Sequence, residues 1–458
     1  MPAALKSQVN DAYRTERITE MAIECMLRAS AAEVDLAPPV GSWMTGFAAR
    51  EFPSTGIHDP IMAHGVLLDN SSTSIMLISL DLLGIAPSNA SELRAAISAK
   101  TGIDQQSILI CCTHTHSGPA MKLSRKGNVT VNNEWRAEAF GKIIDMASDL
   151  PKALRPACIA YGTAIVLGIG FNRQDDSQAI DSELAAIAIE SAEGDAIATI
   201  VNYAAHAVVL GPRNLHLSAD YPGAVARGIK HKRGGIGLFF QGACGDVDPA
   251  INRDRGWGTG TFDDCEQIGA RLADAALAAL ADAPRADCAV LKVISSTVRI
   301  PLDPPPAPDA LAGETAAFEA ELAVAQAKGD SVAIENAGAM LSWAADMQKA
   351  IRSGAVPSHL SAGISIFRIN DLLIAGVPFE PYSEIALRVK EMLRPRVTAF
   401  FGYANGVFGY LAARWAKEQG GYGPDTSCRW GLGLLTGPGI GADDALVEQI
   451  VTAAKDIV

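Results

Sequence analysis

The run CTHTHSGP, Cys112 to Pro119, closes an apolar stretch, SILICC, and delivers two imidazoles at alternating positions, His114 and His116. Neutral imidazole is a favoured zinc ligand and the side chain best suited to moving a proton near neutral pH. Residues two apart on a strand share a face, so the two histidines are expected to leave a strand end side by side. A T-H-T-H run could equally be a polar surface turn, and the pair alone does not define a site. Two further runs have the same form. IATIVNYAAHAVVLG is strand-like and delivers His206 near its end, and LLIAGVPFEP delivers Glu380 after a proline-containing turn. A catalytic zinc takes about three protein ligands and keeps a position for water, and a carboxylate would complete this imidazole set.

With these residues in place the chain resembles the neutral/alkaline ceramidases and their shorter bacterial relatives, which are zinc-dependent amidases. The resemblance rests on GFAAREFPSTGIHDPIMAHGVLL, SLDLLGI, CTHTHSGP, FNRQ, NYAAHAVVLG followed by LSADYPG, QGACGDVDP, GVPFEP and ANGVFGYLAARWAKEQGGYG, which occur in the family's order from about Ala29 onward. It implies that His114, His206, Glu380 and Tyr410 ligate Zn2+. It also implies that Tyr422 is a second active-site tyrosine and that His116 and Arg173 line the substrate pocket. In such a site the metal activates water and polarises a carbonyl. Tyr422, Arg173 or His116 would stabilise the oxyanion, and His116, then Asp248, are the candidates for proton transfer to the leaving amine.

One position departs from the family. Asp248, in GDVDP, stands where the ceramidases have a serine that contacts substrate. An ionised carboxylate has no donor and carries a full charge, so it cannot replace a hydroxyl one for one. Near the scissile bond it would suit a substrate with an amine or several hydroxyls, or orient a zinc-bound water; otherwise it caps a turn before Pro249. The resulting expectation is a zinc-dependent hydrolase of a small soluble N-acyl or related amide. An esterase or lactonase on the same zinc, or a non-catalytic binding protein of the same fold, are the alternatives. Cys244, in the GACGD loop, offers a rival chemistry as a nucleophile with His206 as base.

The elements that must position these residues alternate. Strands are expected at 74–80, 107–112, 196–203, 237–240, 290–300 and 363–369, and helices at 90–101, 135–150, 263–281 and 443–457. This alternation predicts an α/β protein with a mixed or parallel sheet. Four ligands spread from 114 to 410 must converge to share one metal, so residues 29–458 are expected to form a single large catalytic domain after an N-terminal extension, 1–28. Residues 311–353, rich in Ala, Glu, Gln and Lys and broken at 328–330, read as an inserted helical hairpin, either a lid, an oligomer contact or an exposed element with no role. The ceramidases also carry a C-terminal β-rich domain, which is not evident here.

The 458 residues carry 51 acidic against 38 basic side chains, which argues against a nucleic-acid or anionic-membrane surface. No apolar run reaches the roughly 18 residues of a membrane span, and the chain opens with a polar segment, so a cytoplasmic protein is expected. The partner is then a small-molecule amide or ester, with homo-oligomerisation left open. Eight cysteines in a chain this long suggest no disulfide framework.

Overall fold

The computed structural model describes residues 26–121, 124–431 and 433–457. Most of the expected N-terminal extension lies outside these residues. The first strand begins at Arg28, one residue before the boundary drawn from the sequence.

Eight strands form the larger sheet: β1 (Arg28–Asp35), β2 (Met62–Asp69), β3 (Ser74–Leu80), β4 (Ile108–Cys112), β5 (Arg155–Ile165), β6 (Glu183–Ser191), β7 (Ala196–Tyr203) and β8 (Ile236–Gln241). Their order is β8-β7-β6-β5-β1-β2-β3-β4. β3 and β4 run parallel, as do β7 and β8, and the remaining pairs are antiparallel. The sheet is two halves joined at one end by only Arg28↔Pro156 and Ala29↔Arg155. The far ends meet again where Ser79 Oγ donates to the Phe239 carbonyl at 2.5 Å. A second sheet contains β9 (Leu291–Pro301), β10 (His359–Ile369), β11 (Leu372–Gly376) and β12 (Val397–Phe401) in that order, antiparallel except for β11 and β12.

The mixed α/β fold expected from the sequence is therefore present, with two large sheets rather than one, beside three two-stranded pairings among the described residues. The sheets pack face to face. Ile75, Leu77, Leu109, Leu238 and Phe240 from the larger sheet share a buried cluster with Phe367, Ile374 and Phe401 from the smaller. The alternate residues of the same strands, Met76, Ile78, Ile110 and Phe239, point the other way. There they meet α1 (Pro87–Thr101), α2 (Asn133–Asp149), α3 (Asp220–Arg233) and α4 (Phe262–Leu280). Burial on both faces is why these strands read as near-continuous apolar runs. α7 (Ser383–Leu393) and α8 (Ala442–Asp456) cover the outer face of the smaller sheet, completing four layers.

α3 is not among the helices expected from the sequence, and it carries Pro222 and Gly223 in its first turns. The proline falls in the first turn, where its missing N–H would have no helical partner. α3 then crosses α4 closely, and a Cβ on Gly269 would lie 2.5 Å from that of Ala224.

The expected hairpin is present as α5 (Pro308–Lys328) and α6 (Ser331–Ser353), turned by Gly329 at φ +66° with Asp330 capping the second helix. It is not a free surface element. Trp343 Nε1 donates to the Leu435 carbonyl at 2.9 Å, Arg429 reaches Glu314 at 3.1 Å, Arg125 pairs with Asp346 at 2.5 Å, and Glu335 accepts the Asn128 N–H at 3.0 Å. Among the described residues six cysteines are free thiols and Cys288 is disulfide-bonded, whereas the sequence suggests no disulfide framework. Among the described residues no helix is long and apolar enough to cross a membrane.

A buried amide pins the two sheets together. Buried Asn202, in β7, donates to the Phe240 and Phe400 carbonyls at 2.9 and 3.0 Å and accepts the Phe400 N–H at 3.2 Å. Asn202→Ala would strand these buried groups, so denaturant unfolding should show a loss of roughly 3 kcal/mol or more. A change below 1 kcal/mol would mean that water takes their place.

Candidate metal centre

The site assembles where five strands end, three in the larger sheet and two in the smaller. β4 supplies the loop carrying His114 and His116, β7 that of His206, and β8 the turn from Gln241 to Asp248. β11 leads to Glu380 and β12 to Tyr410, and these two are direct neighbours in a two-residue parallel bridge, Glu380–Pro381 against Tyr410–Leu411.

His114 and His116 do come together, but not by strand alternation. β4 stops at Cys112, and His114 turns the backbone into the left-handed region at φ +63°, a conformation rare for a residue with a Cβ. Its N–H bonds the Leu82 carbonyl at 3.0 Å, that of His116 bonds Ala207 at 3.2 Å, and the two Nε2 atoms end 3.2 Å apart. Such strain persists only where surrounding contacts determine it. Here Tyr403, itself at φ +54°, stacks on the His114 ring with centroids 4.2 Å apart. Gly46 closes the other side, since a Cβ there would lie 2.5 Å from His116 Nδ1.

The three histidines present ring nitrogens within 4.8 Å of one another. His114 Nδ1 bonds the Leu83 carbonyl at 2.7 Å and His206 Nδ1 bonds the Cys244 carbonyl at 2.5 Å. A carbonyl only accepts, so both Nδ1 atoms carry the proton and both Nε2 lone pairs face inward. Glu380 Oε2 lies 3.3 Å from His114 Nε2 and 3.7 Å from His206 Nε2, buried and without a hydrogen-bond partner. Tyr410 Oη is 3.4 Å from His206 Nε2. These donors suit a divalent cation: inward lone pairs, a carboxylate and a phenol around one point.

The electrostatics agree with that use. Burial pushes His206 down to about 4, with Arg173 acting in the same direction, and burial likewise holds His116 well below its ordinary value. Burial opposes ionisation of Glu380, and protonated His114 and His206 would outweigh it and hold the carboxyl well below the carboxylate range; with both imidazoles neutral, that role would fall to a bound cation. Neutral imidazole and ionised carboxylate are the forms that bind metal.

Arg173 and Asp248 stand behind this group. Arg173 donates to Tyr410 Oη at 2.8 Å, the Gly245 carbonyl at 2.9 Å and Asp248 Oδ1 at 3.1 Å. Asp248 is buried within the short pairing of 247–249 with 170–172, so it caps no turn, and it does not line the cavity beside the histidines. Its charge is met by Arg173, which removes the reason for asking a donor of the substrate. Tyr422 is on the cavity wall, 55% exposed, with its ring 5.9 Å from that of Tyr410. The cysteine-nucleophile alternative fails. Cys244 Sγ faces Tyr403 Oη at 3.0 Å, burial pushes its thiol well up, and its link to His206 is through the backbone carbonyl.

The cavity at this site has a volume of about 260 Å³ and a largely apolar wall that includes Met44, Phe47, Leu83, Phe408, Trp430 and Leu434. Sequence reasoning missed Gln241, which ends the run GLFFQ at full burial. Its Nε2 donates to the Thr113 carbonyl at 3.1 Å and the Ala205 carbonyl at 2.8 Å, tying the His114 loop to the His206 loop. A polar residue closing an apolar strand was the available signal.

No protein-family profile matches the chain. The neutral ceramidase of Pseudomonas aeruginosa is 24% identical over 254 residues, which are 50% of this chain and 38% of that protein. The crystal structure of neutral ceramidase from Pseudomonas aeruginosa superposes with a TM-score of 0.70 at 18% identity, covering 94% of this chain and 74% of the other. A ceramidase structure complexed with C2 gives the same score and identity over 94% and 76%. At such identity the structural likeness speaks for the fold. Sequence and fold together make this chain neutral ceramidase-like.

Gln241→Leu should leave the fold intact but loosen the spacing between the two histidine loops. The expected result is a metal affinity lowered about 10- to 100-fold, read by competition with a chromophoric chelator. An unchanged affinity would show that the loops hold their spacing without it.

Proposed function

We propose that this protein is a zinc-dependent hydrolase that cleaves the amide bond of small soluble N-acyl substrates, with His114, His206, Glu380 and Tyr410 as the metal ligands. The observation that carries the reading is the buried, hydrogen-bond-free Glu380 oxygen facing the Nε2 atoms of His114 and His206. The likeness to proteins named ceramidases supports an amide as the bond attacked. A bound zinc would supply Lewis-acid polarisation of the scissile carbonyl and acidify water.

The chain's own residues supply the rest. Tyr422, which lines the cavity, would donate a hydrogen bond to the carbonyl oxygen as negative charge develops there. His116 lines the same cavity, kept neutral by burial, so it would take the proton released by the attacking water and then hand it to the departing amine. Arg173 acts through Tyr410, positioning the phenol from behind rather than touching substrate. Asp248 fixes Arg173 in that orientation. The apolar wall would hold the acyl group and exclude water.

Elemental analysis of freshly purified protein should find about one zinc per chain, and no metal at all would overturn the proposal. His206→Ala should lose both zinc and activity. His116→Ala should keep zinc and lose turnover by about 10²-fold or more; loss of the metal as well would make His116 a ligand. Short soluble amides should be cleaved in preference to long-chain ceramide. Hydrolysis of ceramide in detergent exceeding every soluble N-acyl amide would refute that preference.

A further inference from the structure

Two cations are buried beside the cavity with no carboxylate to meet them. Lys126 is only 6% exposed, lines the cavity, and uses one of its three ammonium protons on the Ala48 carbonyl at 2.7 Å. Arg50 is 2% exposed and donates to the His116 carbonyl at 2.8 Å, while its Nε and Nη2 have no acceptor. Among the described residues no acid comes within 4.0 Å of either. Glu335 acts on Lys126 through its charge without contacting the ammonium, and it accepts the Asn128 amide N–H at 3.0 Å. A buried, unpaired ammonium is costly, and proteins keep one where a partner arrives from outside.

The location narrows the partner. Ala48, which holds Lys126, follows Gly46, the residue against which His116 packs, and Arg50 holds the His116 carbonyl. Lys126 and His116 therefore both line the cavity and are both tied to the segment Gly46 to Arg50, so the positive charge accompanies the residue that would protonate the leaving amine. We infer that Lys126 binds an anionic group on the amine half of the substrate, so that the preferred substrates are N-acylated amines bearing a carboxylate or similar anion, such as N-acyl amino acids. This rests on the amide-hydrolase reading above and gives it a substrate class. A neutral amide would leave the ammonium buried without its counter-ion, which is how the site would discriminate. Arg50, beneath the loop, is a positioning group that adds to this positive charge.

The test compares N-hexanoylglycine with the uncharged N-hexanoylethanolamine on the zinc-loaded protein, measuring binding by calorimetry and hydrolysis by amine release. Wild type should bind the glycine conjugate at least tenfold more tightly and cleave it with the higher kcat/KM. In Lys126→Met the ratio of the two affinities should fall towards one, and Lys126→Arg should restore most of it, which separates lost charge from lost folding. Equal binding of the two compounds, binding of neither, or a preference that survives Lys126→Met would overturn the inference. Preferential binding of the glycine conjugate with hydrolysis of neither compound would support the anionic subsite while refuting the hydrolase reading.

Discussion

A carboxylate enclosed among imidazoles, with one oxygen lacking any hydrogen bond, is the constraint to which the rest of the site answers. Glu380 Oε2 faces the Nε2 atoms of His114 and His206, and burying such a charge without a counter-ion is unfavourable by several kcal/mol. Arg173 is spent on Tyr410 and Asp248, and both imidazoles are fixed in the tautomer that offers a lone pair inward. A cation at its centre would balance the arrangement. It also explains why the flanking backbone is held in costly conformations, since relaxing His114 out of the left-handed region would turn a lone pair away.

Bringing these groups together requires both sheets. Each sheet alone buries its apolar faces without reference to the site, yet the donors come from strands of both. The joints are polar and buried: Asn202 fastens β7 to β12, and Gln241 fastens the His114 and His206 loops to each other. Buried amides of this kind are strong only when every donor and acceptor is met, which makes the spacing of the loops specific rather than adjustable. The short bridge between Glu380 and Tyr410 extends the same logic into the smaller sheet.

The α5–α6 hairpin enters through the cavity wall. It holds the loop at 124–128 through Asp346 and Glu335, and the loop at 429–435 through Glu314 and Trp343. Ser124, Lys126, Trp430 and Leu434 in those loops line the cavity, so the hairpin sets the shape and charge of the space where substrate would sit. The acid that acts on Lys126 comes from this hairpin, which links an element with no chemistry of its own to the selectivity of the site.

Much of this was legible in the sequence because burial on both faces and ligand chemistry leave local marks. The strands at 74–80 and 196–203 are where apolar runs place them, the hairpin breaks at Gly329, and His114, His206, Glu380 and Tyr410 converge. Other features depend on neighbours distant in the chain. A periodicity argument puts His114 and His116 on a strand face, whereas contacts with Leu82, Ala207 and Tyr403 turn them in a loop. Asp248 reads as a charge awaiting substrate until Arg173, 75 residues earlier, is seen to meet it. Lys126 carries no local signature at all. Residue type determined which chemistry was available to this chain, because donor atoms belong to single side chains. Only the tertiary structure decided which charges are paired and which face the cavity, because pairing and burial are properties of two distant segments at once.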